Sequence, residues 1–79
     1  MVLSEHAAVV IAERGLALAW IEAAITDPDT VGQDPGSSDL TRVWKRIPEA
    51  GGRVVRVVYR PLGNDILVIT AFFDRKARR

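Results

Sequence analysis

The chain of 79 residues contains no cysteine and a single histidine, His6. The absence of thiols excludes disulfide bonds and thiolate metal ligands, and one imidazole alone cannot build a transition-metal site. We therefore expect no metal and no cofactor. The core of so short a chain is small, which favours additional support from a partner protein or from a second copy in a homodimer.

Several motifs of catalytic and nucleotide-binding sites are also missing. The sequence has no P-loop, no Gly-x-Ser-x-Gly and no Gly-x-Gly-x-x-Gly pattern, and its acids lack the spacing of a calcium-binding loop. Its N-terminal apolar stretch is interrupted by Glu5, Glu13 and Arg14. The sequence therefore predicts a cytoplasmic protein with no membrane segment and no secretory signal.

Charge, in contrast, is abundant and unevenly distributed. Residues 1–41 contain seven acids and one base, Arg14, whereas residues 42–79 contain ten bases and three acids. The net charge of +1 therefore conceals an acidic half and a basic half. A basic half of this kind is typical of proteins that bind a polyanion or an acidic partner.

Apolar spacing and capping residues predict a helical hairpin over residues 1–26. Ser4 is a candidate N-cap for a helix from about residue 5 to residue 14, and Gly15 is suited to end it. A second helix is expected over about residues 16–25. Its buried stripe is predicted to consist of Leu18, Ile21 and Ile25.

The remainder of the chain has the pattern of a loop followed by a sheet. Residues 27–41 are rich in Pro, Gly, Asp and Ser, which predicts a loop with at most a short strand near residues 30–33. Period-two alternation over residues 42–73 predicts an antiparallel meander. Its strands are expected at 42–47, 53–60 and 65–73, and the basic tail, 74–79, is expected to fray.

Together these elements predict one α+β domain spanning residues 1–79. Its two helices would cover one face of an antiparallel sheet of three to four strands. A five-residue connection at 61–65 would pair Arg56 with Thr70. The residues predicted to face the helices are Val55, Val57, Ile69 and Ala71.

The opposite sheet face is the strongest candidate for a functional surface, and we call it the arginine face. It is predicted to consist of Arg42, Trp44, Arg46, Arg56, Arg60 and Thr70. Guanidinium groups bind phosphates in pairs of hydrogen bonds, and an indole ring offers a stacking surface for bases, so these residues are predicted to bind RNA or phosphate. The alternative is a solvated basic face on which Trp44 only packs.

Cleavage of RNA by acid–base catalysis requires no metal. It requires a base near the 2′-hydroxyl and cations that hold the phosphate. The candidate catalytic residues for proton transfer are His6, Lys45 and Tyr59. A structural role for His6 is the alternative, and the predicted register turns Lys45 toward the helices, where its ammonium must extend to the sheet edge.

Four segments of the chain resemble a widespread family of small bacterial domains of unknown function. The segments are His6-Ala7, Arg14-Gly15-Leu16, Arg53 to Arg60, and Val68-Ile69-Thr70-Ala71-Phe72. They match a His-Ala…Arg-Gly-Ile helical hairpin followed by strands that end in a Val-Ile-Thr segment. The chain departs from the pattern at Val10, where many members have an additional arginine.

The resemblance implies a relationship to the RelE/ParE toxin fold, in which helices pack on an antiparallel sheet. Members of that wider group cleave RNA or poison gyrase, and an antitoxin holds them inactive. The resemblance therefore implies an RNA-directed toxin of a toxin–antitoxin pair, in one form a metal-independent endoribonuclease. Two alternatives remain: a non-catalytic module that binds an antitoxin or another acidic protein, and self-association of acidic and basic halves.

Overall fold

Two helices and five strands form from residues 1–77, which a computed structural model describes apart from the side chain of Ser38. Residues 78 and 79 of the predicted tail therefore lie outside the described residues. The elements are, in chain order, β1 (Val2–Leu3), α1 (Glu5–Arg14), α2 (Leu18–Thr26), β2 (Thr30–Asp34), β3 (Ser37–Ile47), a 3₁₀ turn (Pro48–Ala50), β4 (Arg53–Leu62) and β5 (Asp65–Phe73).

The strands form one mixed sheet in the order β1-β5-β4-β3-β2, and the fold is α+β. β1 is parallel to β5, and all other neighbours are antiparallel. The predicted count of three to four strands is wrong because β1 has only two residues, too few to show alternation. Within the predicted loop at 27–41, the short strand expected near residues 30–33 is confirmed as β2, whereas the first residues of β3 were not predicted there.

Local signals set the ends of α1 as predicted. The Ser4 hydroxyl accepts a hydrogen bond from the Ala7 N–H at 3.0 Å, and Gly15 ends the helix with a left-handed φ of 65°. The second helix begins two residues later than predicted. Ala17 has an extended conformation, and Leu16 is buried in the connection between the helices.

Both helices pack on one face of the sheet, α1 against β5 and α2 against β3 and β4. Val55, Val57 and Ala71 are buried on this side, as the alternation predicts. Ile21 is also fully buried, whereas Leu18 is 49 % exposed, so the predicted stripe of α2 is wrong at Leu18. The core therefore lies between the helical hairpin and the three longest strands.

The β4–β5 register differs from the prediction by two residues. Leu62 pairs with Asp65, so the turn consists of Gly63 and Asn64 alone, and Arg56 pairs with Phe72 rather than with Thr70. Gly63 has a φ of 60°, and the favoured two-residue hairpin turns require a positive φ at this first central position. Because the shift is even, each side chain before the bulge keeps its predicted face.

A β-bulge explains why Ile69 is not a core residue. Val58 pairs with Thr70 and Tyr59 with Val68, which leaves Ile69 without a partner on β4. Val68 is completely buried instead, and Ile69 is only partly buried. The prediction that Ile69 faces the helices with Val57 is therefore wrong.

Two truncations in α2 test this packing. Ile21→Ala should lower the free energy of unfolding by about 2–5 kcal/mol, because it removes a fully buried side chain. Leu18→Ala on the same helix should change it by about 0.5 kcal/mol at most, as is usual for exposed positions. Urea denaturation monitored by circular dichroism measures both values. Equal losses for the two variants would contradict the observed orientation of α2.

Candidate nucleic-acid interface

The sheet face opposite the helices is covered by its own side chains. Val54 and Val58 point to this side and are nevertheless buried. Arg46 lies opposite Val54, and Arg42 lies opposite Val58. The aliphatic stems of these arginines can shield the valines while the charged groups stay in solvent.

Trp44 occupies the centre of the arginine face. The guanidinium carbon of Arg42 is 5.9 Å from the indole centroid, and that of Arg56 is 5.6 Å from it. The indole lies over β2 beside Gly32, where an added Cβ would be at an ordinary van der Waals distance of 3.5 Å from the ring. Trp44 is therefore held as a flat, partly exposed platform between two cations.

Arg56 connects Trp44 to a second aromatic ring. Its guanidinium carbon also lies 5.1 Å from the ring centroid of Phe72, its partner on β5. The result is a ladder of Trp44, Arg56 and Phe72 across three neighbouring strands. Sequence alternation places Phe72 on this face, but its part in the site follows only from the observed register.

The arginines of this face form no ion pair with a carboxylate among the described residues, although Asp74 lies near Arg56 and Asp39 lies near Arg60. Within residues 1–77, no ion pair involves Arg42, Arg46, Arg56 or Arg60. The Nε atoms of Arg42 and Arg56 are buried without a hydrogen-bond partner among the described residues, and Arg42 donates from Nη2 to the Gln33 carbonyl at 3.2 Å. Because these guanidinium groups form no ion pair, the face keeps a positive charge that can attract an anion.

The outer members of the arginine face lie around this centre. Arg46 follows Trp44 by two residues on β3, and Arg60 follows Val58 by two residues on β4. Thr70 pairs with Val58, and its hydroxyl oxygen lies 3.4 Å from Nε2 of His6. The structure thus brings all six predicted binding residues to one face and places His6 at its border.

The three candidate catalytic residues do not form one cluster. Lys45 points to the helix side, where its ammonium donates to the Asp27 carbonyl at 2.8 Å and pairs with the carboxylates of Asp27 and Asp29 at 3.4 and 3.9 Å. Tyr59 packs against the core. It lies four residues along β4 from the partner of Lys45, roughly 13 Å away.

Arg14 fixes α1 to the open edge of β5. Its Nη1 donates to the Ala71 carbonyl at 3.3 Å, and the Ser4 hydroxyl donates to the Ile69 carbonyl at 3.1 Å. These bonds satisfy backbone carbonyl groups on the part of the β5 edge that lies beyond its short pairing with β1. This contact also carries His6 to its position beside Thr70.

Asp74 is a site residue that sequence analysis missed. Its carboxylate accepts hydrogen bonds from the Trp44 indole N–H at 3.0 Å and from the Lys76 N–H at 3.0 Å. Its own N–H donates to the Val54 carbonyl at 2.8 Å. The prediction that the tail frays is therefore wrong for residues 74–77, and no sequence pattern signals a contact between residues 30 positions apart.

Two further features concern metal and membrane binding. Residues 1–77 contain no group of three His, Asp or Glu side chains arranged to hold a metal ion. No helix in the described part of the chain is long and apolar enough to cross a membrane.

Comparison with known proteins gives a family for the chain but no activity. Residues 3–73 match the family described as Domain of unknown function (DUF4258). The chain belongs to the DUF4258 family. No curated protein matches the chain, and no solved structure matches it. The match covers the helical hairpin and the four longer strands, and therefore includes the complete arginine face.

The contact between Asp74 and Trp44 makes the free energy of unfolding depend on pH in the acid range. The indole N–H, together with the Lys76 N–H and the nearby charge of Arg56, holds the pKa of Asp74 below its ordinary value of 3.8. As the pH falls, the Asp74 carboxylate is therefore protonated at a higher pH in the unfolded chain than in the folded protein. The contribution of Asp74 is complete above its ordinary pKa and is lost as the pH falls through the folded value.

Asp74→Asn should therefore weaken the dependence of the unfolding free energy on pH below about pH 4. In the wild type, the Trp44 Nε1–H resonance should shift over the same acid range in ¹H–¹⁵N spectra. Asp65→Asn is the control, since the pKa of Asp65 is also lowered, but by the N-terminal ammonium. An indole resonance that does not shift in acid would contradict the hydrogen bond between the Trp44 indole and the Asp74 carboxylate.

Proposed function

We propose that the protein binds single-stranded RNA on the arginine face. The observation that carries this proposal is the pair of guanidinium groups, from Arg42 and Arg56, that flank the Trp44 ring and form no ion pair among the described residues. A base can stack on an aromatic or guanidinium plane, and the neighbouring cations can bind its phosphates. No base sequence needs to be read for this mode of binding.

The layout of charge along the strands also supports an extended polyanion. Arg42 and Arg46 lie four residues apart on β3, and Arg56 and Arg60 lie four residues apart on β4. Each pair spans roughly 13 Å along adjacent strands. A single compact carboxylate would engage one end of this double row, whereas a nucleic-acid strand can follow its length.

The kind of biological role is proposed from resemblance. The sequence segments described above resemble a family related to the RelE/ParE toxin fold, and this resemblance supports an RNA-directed toxin that an antitoxin would hold inactive. Fold resemblance alone does not establish an activity. An acidic partner that covers the arginine face is the competing proposal, and the binding experiment below separates the two.

Arg42→Gln and Arg56→Gln should each weaken binding of a fluorescent RNA oligonucleotide. Each should also reduce the slope of log affinity against log salt by about one unit, because one phosphate contact is lost. Glutamine keeps part of the stem that shields the sheet. Fluorescence anisotropy across a salt series measures both quantities, and thermal unfolding shows that the variants remain folded.

Lys45→Gln is the matched control for this experiment. It removes one positive charge from the same strand, but from the helix side, where Asp27 and Asp29 already balance that charge. Its RNA affinity should remain within about twofold of wild type, as expected for a screened charge away from the face. If the wild type binds no RNA at low salt but binds an acidic peptide, the partner proposal replaces the RNA proposal.

Cleavage is a second candidate function, favoured by the position of His6 beside Thr70 at the border of the arginine face. His6→Ala should leave RNA affinity nearly unchanged and reduce any cleavage rate by roughly 10²–10⁴-fold, as loss of a general acid or base does. Gel analysis of end-labelled RNA measures the rate, with Thr70→Val as a comparison. Unchanged cleavage in His6→Ala would assign His6 a structural role.

A further inference from the structure

A basic cavity lies at the end of the sheet, beside the turn between β3 and β4. It has a volume of about 840 Å³. Its walls come from the last turn of α1, the Gly51-Gly52 turn and the adjoining ends of β4 and β5. The residues important for its chemistry are Arg14, Arg53, Arg75, Phe72, Phe73 and Asp74.

Neutral groups hold two of the guanidinium heads in place. Arg53 donates from Nε to the Ala50 carbonyl at 3.0 Å and stacks on Phe73, with its guanidinium carbon 3.9 Å from the ring centroid. Arg14 donates from Nη1 to the Ala71 carbonyl at 3.3 Å. Each head keeps further N–H donors, because a guanidinium carries five. The two arginines are therefore oriented without being neutralised.

The cavity has an excess of positive charge. Asp74 is the one acidic side chain among the described residues of its lining, and the Trp44 and Lys76 N–H groups already donate hydrogen bonds to that carboxylate. Arg46 adds charge at the rim, since a Cβ on Gly52 would lie 2.8 Å from its Nη2 atom. Gly52 has a φ of 79°, so the turn favours glycine at this position.

We propose that this cavity binds a phosphomonoester attached to a nucleoside. The doubly charged phosphate would lie between the forks of Arg14 and Arg53, near Arg75. The base would contact the two rings that line the cavity, Phe72 and Phe73, which extend from opposite faces at the end of β5. The ligand is either a free mononucleotide or the phosphorylated end of a nucleic-acid strand. The phosphate would be held by Arg14, Arg53 and Arg75, none of which belongs to the arginine face, so the proposal does not require the proposed RNA binding there.

Titration with adenosine 5′-monophosphate, followed by ¹H–¹⁵N spectra, tests the site. The nucleotide should shift the amide resonances of Gly51, Gly52 and Arg53 in a saturable way, and adenosine without phosphate should bind at least about tenfold more weakly. Arg53→Gln and Arg14→Gln should each lower the affinity about tenfold or more. Arg42→Gln, on the arginine face, should leave it unchanged.

Folding and the source of the phosphate are resolved by additional variants and probes. Arg14→Lys keeps the charge without the planar fork, and Arg75→Gln changes an exposed side chain, so both remain informative if Arg14→Gln unfolds. Tighter binding of a 5′-phosphorylated oligonucleotide than of its 5′-hydroxyl form, lost in Arg53→Gln, assigns the site to strand ends. An equal affinity for the two, with the mononucleotide still bound, assigns it to free nucleotides.

Two results would overturn the proposal. One is the absence of saturable shifts around Gly51 and Gly52 with the mononucleotide. The other is wild-type nucleotide affinity in a folded Arg53→Gln variant. Loss of oligonucleotide binding in Arg42→Gln with intact mononucleotide binding concerns the arginine face alone, so failure of the two proposals can be distinguished.

Discussion

The helical hairpin covers only one face of the sheet, and this constraint shapes the rest of the molecule. The two helices contain ten and nine residues and pack against β3, β4 and β5 from the same side. The other face must exclude water from its valines by means of its own side chains. Long arginine stems and two aromatic rings do so, and they leave their charged groups at the surface.

Stability and binding are therefore properties of the same residues. Arg56 lies between the rings of Trp44 and Phe72, which orders its guanidinium before any ligand arrives. Ordering of this kind reduces the conformational entropy that binding would otherwise cost. The aliphatic stem of each arginine contributes to stability, and its charge contributes to binding. Replacement by glutamine therefore tests the charge while part of the shielding remains.

The contacts at the end of β5 join the two proposed sites. Asp74 follows this strand, bonds to Trp44 on the arginine face and lines the cavity that also contains Arg14 and Arg53. Phe72 belongs both to the aromatic ladder and to the cavity wall. A ligand in the cavity would therefore lie beside residues that contact the arginine face, although different arginines would hold its phosphate.

The sequence by itself determined the caps of α1, the α+β class and the division of β3 and β4 into two faces. These features follow from local chemistry: Ser4 and Gly15 act within one helical turn, and alternation sorts Arg42, Trp44 and Arg56 with a period of two. Only tertiary structure decided the pairing of Arg56 with Phe72, the exclusion of Ile69 from the core and the bond between Asp74 and Trp44. Each depends on a turn length, a bulge or a contact between distant residues, none of which leaves a periodic signal in the chain.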